Sequence, residues 1–220
     1  MKLNQVLSKA FIFLKKNKAL VTLLILVDFV FILMHCFLLW NIIDYNLNFS
    51  IEKDLGYAEF YQYLKEFGIL SLLLYLFYKQ KQLIYLVWAI IFLYLLLDDS
   101  LSIHENYGFY LADYLNIQPK FNLRPEDFGE LLFFAFFAFL FFISIVFAFL
   151  KADLKGKLIT KKLFLLFLIL AFFGICIDLF HIVIPYGKNQ LALIEDGGEM
   201  VVMSFIFVYV FSFYYSEKVL

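Results

Sequence analysis

The chain has 220 residues, 65% of them hydrophobic and 22% aromatic, with 31 Phe and 15 Tyr; its mean hydropathy is +0.88. Soluble domains hold roughly 45–50% apolar residues, so a soluble globular fold is excluded. A formal charge of −1 excludes the basic footprint of a nucleic-acid binder, and two cysteines inside apolar runs, Cys36 and Cys176, exclude a disulfide framework or thiolate metal cage.

The chain opens on a basic stretch (Lys2, Lys9, Lys15, Lys16, Lys18) before an apolar run of about 25 residues. That run is too long for the core of a cleaved signal and long enough to cross a bilayer, so it reads as a retained first helix. Six spans are predicted in one transmembrane domain over 1–220: about 19–43, 58–78, 82–103, 130–150, 163–185 and 199–215. The second is the least apolar, entered through the Tyr-rich approach 57–66, and the fourth, almost free of polar residues, is expected to face lipid all round. The loop 106–128, with Pro119 and Pro125, is expected to cap the bundle.

Basic residues set the orientation. Segments 1–18, 79–82, 151–162 and 216–220 carry five, two, five and one Lys or Arg; segments 44–66, 98–130 and 186–199 carry two, two and one, along with most of the acids. The bias alternates at every predicted crossing. The expected fold is therefore an all-α polytopic bundle with both termini cytoplasmic, seated in a cell membrane, the bacterial inner membrane being the expected one. Its tyrosines at span ends, such as Tyr45, Tyr57 and Tyr186, fit interfacial belts.

The informative residues are those that hydrocarbon excludes, since a charged side chain at mid-bilayer costs on the order of 2.5–3.5 kcal/mol on insertion scales. Asp28 and His35 lie in the first span, seven apart and on one face. Asp98, Asp99, Ser100, His104 and Glu105 stand at the outer end of the third. Asp178 and His181 close the fifth, and Glu195, Asp196 and Glu199 open the sixth. Ser100 and His104 share a face if that segment is helical, as do Glu195 and Glu199. All three histidines fall in the outer half of the membrane. The loop acids Glu52, Asp54, Glu126 and Asp127 read as solvated, and the Asp178–His181 pair also has a plainer reading as a helix-packing hydrogen bond.

Histidines and carboxylates drawn from several helices are how bundle-borne metal sites are built. The expectation is an outward-facing pocket holding a divalent metal, zinc foremost, on His35, His104, Asp178 and His181, with Asp28, Asp98, Asp99 and Glu195 around it. In an enzyme, Glu105 or Glu199 would act as general base and Ser100 would polarise a carbonyl or phosphoryl group of a lipid or lipid-linked substrate. Two alternatives stand beside this: a non-enzymatic sensor or anchoring subunit, with a protein partner or second copy held through the bundle, and an ion or proton transporter. Membrane lipids are expected neighbours in each case.

The run Asp98-Asp99-Ser100-Leu101-Ser102-Ile103-His104-Glu105, with Glu195-Asp196-Gly197-Gly198-Glu199-Met200 downstream, resembles uncharacterised bacterial multi-pass membrane proteins that carry an acidic pair, four residues and His-Glu. That resemblance implies a shared membrane fold and no established activity. Ser100 and His104 also resemble the Ser-x3-His element of ceramidase-like intramembrane metal hydrolases, which would imply zinc hydrolysis; the late His-x3-His pair and the seven-span architecture of that group are missing.

Overall fold

The computed structural model describes residues 18–43 and 46–218, with side chains to 215. The basic run from Lys2 to Lys16 and the belt residue Tyr45 lie outside the described residues. Among the described residues eight α-helices follow in order: α1 (Lys18–Leu39), α2 (Tyr57–Gln80), α3 (Leu83–Leu101), α4 (Ile103–Tyr114), α5 (Pro125–Lys151), α6 (Leu154–Ala171), α7 (Asp178–Val183) and α8 (Lys188–Lys218). A 3-10 turn (Leu47–Phe49) sits in the α1–α2 connection, and a π-turn (Phe172–Ile177) joins α6 to α7 as one rod. The described residues contain no β-strand; a lone bridge pairs Lys120 with Leu123.

Four rods are long and apolar enough to cross a membrane by length and composition: α1, α3, α5 and the α6–α7 rod. The helix α2, 24 residues long, carries Lys65 and Glu66, and α8 runs for 31 residues. At about 1.5 Å per residue these two extend roughly 36 and 46 Å, longer than the roughly 30 Å hydrocarbon core of a bilayer.

Local chemistry sets the connections. After Gln80, Lys81 turns left-handed (φ 54°) and its N–H closes on the Phe77 carbonyl, so α3 begins at Leu83 and runs antiparallel to α2. A basic loop is expected over 151–162, but the chain turns helical again at Leu154. Asp153 caps α6 by accepting from the Gly156 N–H at 2.7 Å, and Leu and Lys, both good helix formers, continue it. Its lysines therefore ride on the first turns of α6. The expected cap is itself helical: α4 lies against α5, and Gly108 meets Gly129 there so closely that a methyl on Gly129 would strike the Gly108 carbonyl. Small residues at such a crossing let two backbones touch.

The core lies toward the end where α2 and α8 finish. Ile69, Leu73 and Leu76 of α2 are fully buried, as are Ile84, Trp88 and Phe92 of α3, Ile159 and Leu163 of α6, and Ile206 and Val210 of α8. Their spacing of three, four, seven or eight residues makes one inward stripe per helix. Within this core Trp88 donates Nε1–H to Thr160 Oγ1 at 3.3 Å. Of the expected all-round lipid face of α5, most holds, with Phe136, Phe139 and Phe142 more than half exposed. One stripe does not: Phe133, Ile145 and Ala148 are buried.

Candidate functional site

The opposite end, where α1 and α3 finish and α2 and α8 begin, is built on different chemistry. Asp28 of α1 is fully buried, and although no basic residue lies near it in the sequence, Lys65 of α2 reaches it across the bundle: Nζ to Oδ1, 3.1 Å. The same ammonium donates to the Met200 carbonyl at 2.7 Å and to Ser204 Oγ at 3.3 Å, both on α8. It also lies 4.5 Å from the ring centre of Tyr61. Three helices are thus tied by one cation. A lysine stripped of water at this depth is tolerated because its charge and its donors are met.

One residue on, Glu66 is fully buried beside Asp99 of α3, within hydrogen-bond reach of its carboxyl. Gln62 Oε1, one turn earlier on the same face of α2, has no donor. Against them stands Glu199 of α8, seated where the π-turn brings Gly174 up to it; a methyl at Gly174 would collide with its Oε1. π-turns inside helices often mark functional sites.

Above this layer opens a cavity of about 190 Å³. The α1–α2 connection contributes Glu52 and Asp54 to its wall, α2 contributes Glu59 and Gln62, and α3 contributes Asp99. The far wall is His104 and Glu105 of α4 with Asp196 and Glu199 of α8. Seven carboxylates therefore face one lysine, Lys53, and one imidazole, His104.

Each histidine is held by its own carboxylate. His35 lies with Nδ1 3.2 Å from Ser50 Oγ and Nε2 3.2 Å from Glu52. His104 Nδ1 meets Asp98 at 3.1 Å, and Asp98 also accepts the His104 backbone N–H at 2.9 Å. His181 pairs with Glu195 across 2.9 Å, not with Asp178. The hydrogen bond from His35 holds the Glu52 carboxyl below its ordinary pKa, outweighing partial burial, with the charges of His35 and His181 adding to it. For His104, burial pulls the pKa down, but the hydrogen bond and charge of Asp98, backed by Glu130 and Glu105, outweigh it and leave the pKa raised.

The expected site residues are therefore divided. Asp99, His104, Glu105 and Glu199 line the cavity; Asp28 lies beneath it; His35, Asp98 and Glu195 brace its walls. Asp178 sits in a separate small cleft with Asp127 and Glu130. Ser100 is turned away: the helix breaks at Ser102 (φ 46°), so Ser100 and His104 do not share a face, and Ser100 Oγ donates to its own helix at Leu96, 2.6 Å. The Ser-x3-His geometry is not formed. The four expected metal ligands, His35, His104, Asp178 and His181, do not gather: among the described residues no three His, Cys, Asp or Glu side chains stand close enough together to hold a metal ion.

The fold also recruits residues that the sequence reading set aside. Lys65, Glu66 and Gln62 lay in what read as an amphipathic approach, and the one available signal was their 3–4 spacing with Glu59 on one helical face. Glu52, read as solvated, grips His35. Asp127, read likewise, is buried: it accepts from the Arg124 backbone N–H at 2.7 Å and pairs with its guanidinium, closing the start of α5.

A helical bundle with four described rods apolar enough to cross a membrane and an acid-walled cavity at one end is the class that fold and site define. The chain belongs to a domain family of unknown function, DUF8692, whose pattern matches residues 23–213 and so takes in every rod of the bundle. No curated protein and no solved structure matches it.

Proposed function

We propose that this is a six-span protein of the bacterial inner membrane, both termini cytoplasmic, whose outward-facing cavity binds a cation and does not transform it. The alternating basic bias of the connections supports the orientation, and α2 and α8 supply the two crossings beyond the four apolar rods. The observation that carries the reading is the wall itself: seven carboxylates, one lysine and one imidazole around about 190 Å³. Such a cleft concentrates cations, its low-dielectric surroundings strengthening the field.

A binding role fits the geometry better than the alternatives. A zinc hydrolase needs converging ligands, and Ser100 is committed to Leu96. A transporter needs a path onward, but beneath the Lys65 layer Ile69, Leu73, Met203 and Ile206 pack without polar partners for an ion. A sensor or a subunit of a larger assembly, responding to an outer-side ligand through α1, α2 and α8, meets neither objection.

Thermal unfolding of the purified protein in detergent tests this, with Na⁺, Mg²⁺, Ca²⁺, Zn²⁺, putrescine and spermidine compared at equal ionic strength. A bound cation at 100 times its Kd adds about 2.7 kcal/mol, so at least one is expected to raise the unfolding midpoint well above the Na⁺ control. Equal midpoints for all six would refute cation binding.

A further inference from the structure

We propose that the cation bound in this cavity is an aliphatic amine bearing more than one ammonium group, and not a metal ion. This rests on the reading of the cavity as a cation site.

Metals and ammonium ions ask different things of a pocket. A metal ion needs several ligand atoms within about 2.0–2.6 Å of one point, and no such group of side chains exists among the described residues. An ammonium needs acceptors about 2.8–3.0 Å from its nitrogens, spread along its length. The acids here are spread in that manner, from Asp54 and Glu105 at the mouth down to Asp99 and Glu199.

The floor supplies an independent sign. Gln62 lines the cavity at 9% exposure, and its Oε1, an acceptor alone, has no donor. Buried acceptors left unmatched are costly, and N–H donors are what would satisfy them. The bundle shows how it handles an ammonium three residues further on, where Lys65 is held by a carboxylate, a carbonyl and a hydroxyl beside the Tyr61 ring. A ligand ammonium at Gln62 would find the amide oxygen with the carboxyl groups of Asp99, Glu59 and Glu199 along the same lining. The depth of the cavity and the acids along it favour a second ammonium nearer the mouth, by Glu105.

Calorimetric titration of the full chain with spermidine, and separately with CaCl2, MgCl2 and ZnCl2 at equal ionic strength, tests the assignment. Spermidine is expected to bind more tightly than any of the three metal ions. Gln62→Met, which removes the unmatched acceptor, is expected to weaken spermidine roughly tenfold, while Gln62→Glu, which keeps an acceptor there, retains binding. Should Gln62→Met not fold, Glu105→Gln at the exposed mouth takes its place, with an expected loss of about threefold. A metal ion binding where spermidine does not overturns the amine assignment and leaves the cation site standing; no binding by any of the four overturns both. Spermidine affinity unchanged in Gln62→Met, or in Glu105→Gln where that variant replaces it, marks adsorption to surface charge and also overturns the assignment.

Discussion

The two halves of α2 lie on one rod and obey opposite rules. From Ile69 to Leu76 its inward face is hydrocarbon against hydrocarbon, with a few polar pairs such as Trp88 with Thr160 and Tyr209 with the Ile159 carbonyl nearby. From Glu59 to Glu66 the same face carries an amide, a lysine and two carboxylates. The apolar half can hold the helices together by packing alone. The polar half has to be compensated group by group. Lys65 is met by Asp28, the Met200 carbonyl and Ser204; Gln62 Oε1 has no donor. The bundle ties its buried lysine to three partners and leaves the Gln62 acceptor open at the cavity, where a ligand can reach it.

The largest expected effect breaks the polar half. Lys65→Met strands Asp28 in a buried site and should cost about 3–5 kcal/mol, whereas adding Asp28→Asn should recover much of the loss; SDS-titration unfolding of the two variants measures the difference. Equal losses in the single and double variants would mean the pair is not coupled. In the apolar half, Leu73→Ala leaves a cavity and should cost about 2–5 kcal/mol by the same assay. Unlike the lysine variant, it should leave cation binding intact.

Smaller effects come from pH. The raised pKa of His104 means its pairing with Asp98 contributes fully below about 6.5, and that contribution is lost as pH rises through the folded value. The lowered pKa of Glu52 means the reverse: its contribution is present above about 4.5 and is lost as pH falls through the folded value. Unfolding midpoints across pH should therefore peak between the two, with His104→Gln flattening the alkaline limb and Glu52→Gln the acid limb. Smallest of all, Ser100→Ala removes only a bond within its own helix and should stay within about 0.5 kcal/mol of the parent. A large loss there, in stability or function, would revive the hydrolase reading.

Much of the helical fold was legible in the residues because hydrophobic runs are a one-dimensional signal. Every predicted span contains a helix, though α5, α6 and α8 start earlier than predicted, since Pro125, Asp153 and the residues after Gly187 begin them outside the apolar runs. The site was legible in part. Asp99, Glu105 and Glu199 stand out as acids at span ends, but which groups pair depends on helix rotation, which spacing does not give. Asp28 had no basic neighbour in sequence because its partner lies 37 residues away on the next rod. The single left-handed residue at Ser102 separates Ser100 from His104 and undoes a motif that reads as continuous. No pattern of residue types announces that turn.

Cysteine accessibility in intact cells tests the two-tier account most directly. In a background carrying Cys36→Ser and Cys176→Ser, Gln62→Cys should react with a small membrane-impermeant thiol reagent added outside, and Leu73→Cys, three turns further along α2, should not. Labelling of Leu73→Cys as fast as Gln62→Cys, or labelling of Gln62→Cys only after the cytoplasmic side is opened, would contradict an outward cavity sealed by the core beneath it.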